Sequence, residues 1–165
     1  MIHLLDDFRD TAAVARDWSA FSDRVMGGVS VAHVELVERG GRRALRLWGR
    51  VSLERNGGFI QMARQFPNGE YDASAFSGVQ LSVCGAPGAY FVHLRTADTR
   101  APWQYYVSPL AVTADWRDVY LPFGAFTPVS LAAPLDIRTI QRIGIVAGKQ
   151  AFDADLAVAR VELVP

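Results

Sequence analysis

Residues Tyr90–Thr96 have the sequence Tyr-Phe-Val-His-Leu-Arg-Thr, in which successive side chains differ in polarity with a period of two. That period places the tyrosine, valine and leucine on one face of a β-strand and the phenylalanine, histidine and arginine on the other. The neighbouring segments Val79–Cys84 and Trp103–Ser108 alternate in the same manner. Each segment therefore predicts a strand that contributes one face to a hydrophobic core.

The same strand signals recur along the chain, separated by turn sequences such as Gly40-Gly41 and Asn68-Gly69. Only two short helical turns are predicted, one at Thr11–Trp18 with Thr11 as N-cap and one at Asp136–Ile140 with Asp136 as cap. Many short strands with little helix are typical of an all-β sandwich or barrel. The predicted strands are Ile2–Phe8, Ser30–Glu38, Arg43–Glu54, Phe59–Phe66, Val79–Cys84, Tyr90–Thr96, Tyr105–Pro109, Arg117–Pro122, Arg142–Val146 and Leu156–Leu163.

The length and composition of the chain limit the classes of protein to which it can belong. A chain of 165 residues favours one domain, residues 1–165, with room for a core. Seventeen basic and seventeen acidic side chains balance, which argues against a nucleic-acid-binding surface. No apolar run is long enough for a membrane span. The acidic start lacks the features of a secretory signal, and the single cysteine excludes an internal disulfide, so we predict a cytoplasmic protein.

Two glycine pairs stand out near the front of the chain. The first lies in Ser22-Asp23-Arg24-Val25-Met26-Gly27-Gly28-Val29-Ser30 and the second in Asn56-Gly57-Gly58-Phe59. Glycine allows a sharp turn and a close approach of another chain segment. In a structural interpretation the two loops lie against each other, Asp23 caps free backbone N–H groups and Arg24 pairs with a carboxylate. In a functional interpretation the loops border a cleft in which Arg64 or Arg95 anchors a ligand.

The polar faces of the three middle strands suggest the floor of that cleft. If these strands pair in sequence order, one surface combines hydrogen-bond donors, a guanidinium and aromatic rings, which are groups that bind a sugar. The alternative is an ordinary solvated sheet face. Trp103 lies in a predicted loop, where an exposed ring would stack on a ligand. The predicted surface comprises Gln80, Ser82, Phe91, His93, Arg95, Gln104 and Tyr106.

The glycine loops, together with Leu94-Arg95-Thr96, Trp116–Phe123 and Ile143-Gly144-Ile145, resemble the complex I intermediate-associated protein family. Its best-known member is a mitochondrial assembly factor for respiratory NADH:ubiquinone oxidoreductase. The resemblance implies a β-sandwich jelly roll similar to galactose-binding domains, without established catalysis. It also implies signature positions at Asp23, Arg24, Met26, Gly27, Gly28, Asn56, Gly57, Gly58 and Phe59.

Catalytic and metal chemistry have little support in the sequence. Cys84 with His93 or His33 lacks an activating motif for nucleophilic catalysis, and the histidines lack the spacing of zinc ligands. No cofactor is predicted. A structural calcium ion is the alternative, because jelly rolls of this type often hold one beside the terminal strands and carboxylates are its preferred ligands. The candidate ligands are Asp6, Asp7, Asp153 and Asp155.

We therefore predict a non-catalytic binding or assembly module that acts on a protein partner such as a respiratory or redox complex. The alternative is a receptor for a carbohydrate or small polar ligand on the concave sheet face. The candidate binding residues are Asp23, Arg24, Met26, Asn56, Arg64, His93, Arg95, Trp103, Gln104 and Tyr106, with Gly27, Gly28, Gly57, Gly58 and Phe59 as the structural loop residues.

Overall fold

Two antiparallel sheets face each other in the computed structural model, which describes all 165 residues. The predicted all-β jelly-roll sandwich is confirmed. Four 3-10 turns, Asp23–Met26, Glu54–Asn56, Phe123–Ala125 and Ile137–Thr139, connect the strands, and one α-helix, α1 (Thr11–Asp17), follows the first strand. The strands are β1 (His3–Asp6), β2 (Trp18–Ser22), β3 (His33–Arg39), β4 (Arg42–Val51), β5 (Phe59–Gln65), β6 (Gly78–Gly85), β7 (Tyr90–Thr96), β8 (Tyr105–Pro109), β9 (Arg117–Pro122), β10 (Thr127–Val129), β11 (Ile140–Gly148) and β12 (Phe152–Val164).

Sheet A has the strand order β3-β4-β12-β6-β9, and sheet B has the order β10-β8-β7-β11-β5-β2. The long strand β12 is the centre of sheet A. On one edge it pairs with β6; on the other it pairs first with β4, up to Val158, and then with β1, from Val161. The strands β1 and β4 therefore follow one another along a single edge of β12.

The hydrophobic core lies between the sheets as one cluster of 31 buried residues. Leu47 and Leu81 of sheet A and Ile145 of sheet B are all fully buried. Burying each such side chain contributes roughly 1.5–3 kcal/mol to folding. The apolar side chains at alternate positions of the strands fill the space between the sheets.

The strands β6 and β7 lie in different sheets, so the expectation that they pair is wrong. Leu81 of β6 and Leu94 of β7 enter the same core from opposite sheets. Alternation identifies the inward face of a strand, but it is the same whether two strands are neighbours in one sheet or opposed in two. Gln80 and Ser82 therefore belong to sheet A, whereas Phe91, His93 and Arg95 lie on the outer side of sheet B. These residues do not form one surface.

The faces of β8 are the reverse of those predicted. Tyr106 and Ser108 point into the core, while Tyr105 and Val107 lie on the outer side. Both sets of alternating residues contain a tyrosine, so polarity alone does not decide the orientation of the strand. Tyr106 can be buried because its hydroxyl donates to the backbone oxygen of Ala133 at 2.8 Å.

The predicted helical turns are both present, with one change of cap. Asp10, not Thr11, caps α1, since its Oδ1 accepts a hydrogen bond from the nitrogen of Ala13 at 3.1 Å. Asp136 caps the turn Ile137–Thr139 as predicted. None of the helices has the length and hydrophobicity needed to cross a bilayer.

Candidate functional site

Asp23 joins the two glycine loops. Its carboxylate accepts hydrogen bonds from the backbone nitrogens of Ser30 at 2.9 Å, Gly58 at 2.6 Å and Phe59 at 3.3 Å. It also accepts one from the Ser30 hydroxyl at 2.5 Å. Asp23 is fully buried, so these bonds replace the water that the carboxylate loses. We call Asp23, Ser30, Gly28, Gly57 and Gly58 the Asp23 knot.

The glycines of the knot are required by the approach of this carboxylate. A Cβ atom on Gly28 would overlap Cγ of Asp23, and one on Gly57 would overlap its Oδ2. Gly27 ends the 3-10 turn with a φ of 88°, a conformation that favours glycine. The glycine pairs therefore serve to enclose Asp23.

Two opposing influences act on the pKa of Asp23. Burial, the largest, raises the pKa, but the hydrogen bonds from Ser30, Gly58 and Phe59 together outweigh it and leave the pKa below its ordinary value. Asp23 is thus a buried, ionised carboxylate at neutral pH. Its role in the structure is to hold two loops together.

Large apolar side chains project from both loops beside the knot. Val25 is 73% exposed, Met26 is 61% exposed and Leu53 is 49% exposed. Val25 and Met26 belong to the 3-10 turn that starts at Asp23. The side chain of Leu53 lies close to Gly58, so close that a Cβ atom on this glycine would meet it. We call Val25, Met26 and Leu53 the apolar tip.

Arg24 and Asn56 lie at the same end of the molecule. Nε of Arg24 donates to the backbone oxygen of Ser30 at 3.1 Å, so the expected ion pair with a carboxylate is not formed. Asn56 is exposed, with a φ of 57°, next to Arg55 with a φ of 55°. Both residues shape the loops around the apolar tip.

The outer side of sheet B carries a second cluster, rich in rings. His93 stacks on Tyr105 with ring centroids 3.9 Å apart and an angle of 11° between the planes. The ammonium of Lys149 lies 4.8 Å from the Phe91 ring centre. We call this surface the aromatic face; it comprises Phe21, Phe59, Phe91, His93, Tyr105, Arg142 and Lys149, with the guanidinium of Arg142 5.2 Å from the Phe21 ring centre.

His93 is held neutral on this face. Burial lowers its pKa most, and the nearby charges of Lys149 and Arg142 lower it further, to about 3. A neutral imidazole can lie flat against the Tyr105 ring among cations without adding a third positive charge. The stack is therefore stable over the physiological pH range.

The side chains of Arg95 and Gln104 bond to backbone atoms of residues 99–104, and the Gln104 amide nitrogen also donates to the backbone oxygen of Ser130 at 3.1 Å. The Arg95 guanidinium donates to the backbone oxygens of Ala101 at 3.0 Å, Gln104 at 2.8 Å and Thr99 at 3.1 Å. The Gln104 side chain accepts from the nitrogen of Arg100 at 3.0 Å. These side chains hold a loop in shape, and the expected convergence of Arg95, Gln104 and Tyr106 on a ligand is wrong.

Trp103 projects from this loop and is 66% exposed. The bonds of Arg95 and Gln104 fix the backbone on both sides of the ring. Its role in binding stays a prediction.

Arg64 is not part of the outer side of sheet B. It points inward at the edge beside β2, 3.9 Å from Asp17, and only 9% of it is exposed. Burial lowers the pKa of its guanidinium, and Nε has no hydrogen-bond partner. On β5, Gln61 and Ala63 face outward, so Arg64, which follows Ala63, faces the core. The expectation that Arg64 anchors a ligand above the sheet is therefore wrong.

The four aspartates considered for calcium do not form a cluster. Asp6 accepts from the indole nitrogen of Trp18 at 2.9 Å, whereas Asp155 pairs with Arg46 at 3.0 Å. Asp6 lies opposite Val161 of β12, six residues from Asp155, or about 20 Å along a strand. Asp7 lies beside Arg9, and Asp153 lies 3.5 Å from Arg50. No group of three or more potential metal ligands is present.

Cys84 and His93 also lie apart, because β6 and β7 belong to different sheets. Cys84 is buried, and burial raises the pKa of its thiol. An unactivated buried thiol is a packing residue.

Sequence reasoning misses several members of the two clusters. It places Tyr105 in the core, because it reverses the faces of β8. Arg142 lies in β11, whose pattern of buried residues is nearly continuous and shows no alternation, and Lys149 follows the end of that strand. The exposed Leu53 carries no signal in the sequence, since an apolar residue near a strand end predicts burial.

Comparison with known proteins decides the family of the chain. The model of the family Complex I intermediate-associated protein 30 (CIA30) matches residues 7–158. The chain belongs to the CIA30 family. An uncharacterized protein of Schizosaccharomyces pombe is 22% identical over 173 residues, which cover 91% of this chain and 78% of the yeast protein.

Solved structures with the same fold include carbohydrate-binding modules. The family 11 module of Clostridium thermocellum, in complex with a β-1,3-1,4-mixed-linked tetrasaccharide, has a TM-score of 0.76 at 14% identity, with coverage of 99% of this chain and 95% of the module. A family 30 carbohydrate-binding module has a TM-score of 0.61 at 14% identity, with coverage of 83% of this chain and 91% of the module. At these identities the likeness describes the fold that the CIA30 chain shares with them.

Proposed function

We propose that this CIA30 chain is a non-catalytic module that binds a protein partner through the apolar tip. The observation that carries the proposal is the exposure of Val25, Met26 and Leu53 on loops that a buried carboxylate fixes in place. Apolar side chains grouped in an exposed, ordered segment are typical of protein interaction sites. Because the loops are already held by the Asp23 knot, binding would lose little conformational entropy.

The name of the family supports one class of partner. Its description names an association with a complex I intermediate, which supports a subunit of respiratory complex I, or of a related redox complex, as the protein bound. The absence of catalysis and the cytoplasmic location stay predictions.

The experiment is crosslinking of the tagged chain in its native host, followed by mass spectrometry of the captured subunits. The variant Val25→Ser/Met26→Ser/Leu53→Ser removes the apolar tip and leaves every residue of the Asp23 knot and its hydrogen bonds in place. The control, Ile2→Ser/Tyr120→Ser, removes apolar surface elsewhere, at residues that are 54% and 46% exposed. We expect complex I subunits with the wild type and the control and their loss with the triple variant. Capture of no respiratory subunit, or capture unchanged by the triple variant, would contradict the proposal.

A second candidate function is carbohydrate binding on the aromatic face. The flat His93–Tyr105 stack favours it, since aromatic rings pack against the apolar sides of sugars. It ranks second because the rings of Phe91 and Phe21 are already covered by Lys149 and Arg142.

Calorimetric titration with a mixed-linked β-glucan tetrasaccharide tests this candidate. Binding should be lost in Tyr105→Ala and retained in Tyr120→Ala, which truncates a tyrosine on sheet A. Absence of binding heat in the wild type, for this sugar and for a panel of other oligosaccharides, would exclude the candidate.

A further inference from the structure

A break in one edge of sheet A forms a small polar pocket. The strand β4 pairs with β12 up to Val158, and β1 resumes the pairing at Val161. Between the two strands the edge of β12 at Ala159 and Arg160 is left without a neighbouring strand. The resulting notch has a volume of about 160 Å³.

Four arginines line this notch. Arg9 enters from the segment after β1, Arg42 and Arg43 from the start of β4, and Arg160 from β12; the remaining lining residues are Asp7, Gly41 and Ala159. With one aspartate against four guanidinium groups, the lining carries a net positive charge of three in a chain whose total charge is zero. Cations concentrated in this way in a concave site attract anions.

Contacts outside the notch orient two of the arginines without using all their donors. Arg42 lies over the ring of Trp116, with its central carbon 4.8 Å from the ring centre. Arg43 donates from Nε to the backbone oxygen of Phe8 at 2.9 Å and from Nη2 to Thr11 at 3.1 Å. In both residues, N–H groups remain for a ligand.

The other two arginines, Arg160 and Arg9, also keep N–H groups that no protein acceptor uses. Arg160 donates from Nε to the buried carboxylate of Glu162 at 2.7 Å, which leaves its terminal nitrogens free. Arg9 has only a long contact of 3.8 Å with Asp7. Glu162 is thus engaged outside the lining, Asp7 is the one carboxylate within it, and the guanidinium ends are the groups that a ligand would meet.

We propose that this arginine notch binds a phosphate group. Guanidinium groups match the oxygens of phosphate in pairs, and such charge-assisted bonds are stronger than neutral ones. The volume holds a phosphate together with several waters or a short organic attachment, since a water occupies about 30 Å³ of liquid. The notch lies at the opposite end of β4 from Val51 and the glycine loops, nine residues or about 30 Å away, so this site is independent of the apolar tip.

The phosphate would come from a soluble phosphorylated molecule or from a lipid headgroup. Titration of the ¹⁵N-labelled full chain with inorganic phosphate at low ionic strength tests the shared chemistry. Amide signals of Gly41, Arg42, Arg43 and Arg160 should shift together. The variant Arg9→Gln/Arg42→Gln should weaken binding at least about tenfold for each lost contact.

The control variant Arg100→Gln/Arg117→Gln removes the same charge from exposed positions outside the notch and should bind phosphate as the wild type does. Equal weakening in both variants, shifts scattered over the surface or no saturable binding would overturn the proposal. Cosedimentation with phosphatidylcholine vesicles, with and without phosphatidic acid, then separates the sources. Notch-dependent binding to the phosphatidic acid vesicles indicates a lipid headgroup, and phosphate binding without vesicle binding indicates a soluble ligand.

Discussion

The carboxylate of Asp23 lies 2.6 Å from the backbone nitrogen of Gly58, 35 residues further along the chain. This bond joins the loop after β2 to the loop before β5, two strands that are themselves paired in sheet B. The Asp23 knot thus holds together the two loops that extend from this pair of strands. The apolar tip depends on this continuity, because Val25 and Leu53 belong to the segments that Asp23 joins.

Asp23→Asn should destabilise the fold by about 2–4 kcal/mol, because the amide nitrogen that replaces one carboxylate oxygen would face a backbone donor, that of Ser30 or that of Gly58. Urea unfolding at neutral pH measures the loss. Asp115→Asn, at an exposed turn residue, is the control and should change stability little.

The effect of Asp23→Asn should also depend on pH. The folded-state pKa of Asp23 is below the ordinary value of 3.8, so its charged form stabilises the fold above that pH. This contribution is lost as the pH falls through the folded-state pKa. The difference between wild type and variant should therefore narrow in strong acid, and a constant difference down to pH about 2 would contradict the lowered pKa of Asp23 in the folded state.

Gly28→Ala should lower stability by about 1–3 kcal/mol, because its Cβ would collide with Asp23 inside the knot. Gly124→Ala is the matched control, since no heavy atom lies within 4 Å of its Cβ position. Thermal unfolding of the two variants should separate them clearly. If Gly28→Ala is as stable as Gly124→Ala, the glycine is not required by the approach of Asp23.

The sequence predicts the fold class because alternation and turn residues are local signals. The inward faces of β6 and β7 follow from them directly. The assignment of those strands to separate sheets does not follow from these signals, because the side-chain pattern of a strand is independent of which neighbour it pairs with. The pattern also does not reveal β2, since Trp18 continues an apolar pattern that begins in α1.

The candidate site is predicted less well for a related reason. Arg95 and Gln104 have the chemistry of ligand-binding side chains, and in the structure they bond instead to the backbone of residues 99–104 and of Ser130. Composition shows which groups are available for hydrogen bonding, but only the three-dimensional arrangement shows which are already satisfied. The arginine notch has no sequence signal because its members come from three segments distant in sequence.

Tyr106→Phe should cost about 1–2 kcal/mol of stability, since the change leaves the acceptors at Ala133 and Pro134 without the phenol donor. Tyr71→Phe removes a hydroxyl that makes no hydrogen bond and serves as the control. Chemical denaturation measures both. A loss confined to ligand binding, with stability unchanged, would contradict the buried role of Tyr106.

His93→Phe should flatten the dependence of stability on pH below neutrality. The folded-state pKa of His93 is about 3, whereas the unfolded value is 6.5, so the unfolded chain binds the proton more readily between these values. Stability from the neutral imidazole is complete above pH 6.5 and is lost as the pH falls toward 3, at up to about 1.4 kcal/mol per pH unit. Denaturation of wild type and variant at a series of pH values isolates this contribution, because the carboxylates are common to both. His93→Gln, which is also uncharged, should give the same flattened curve, and an imidazole that titrates near 6.5 by NMR in the folded chain would refute the prediction.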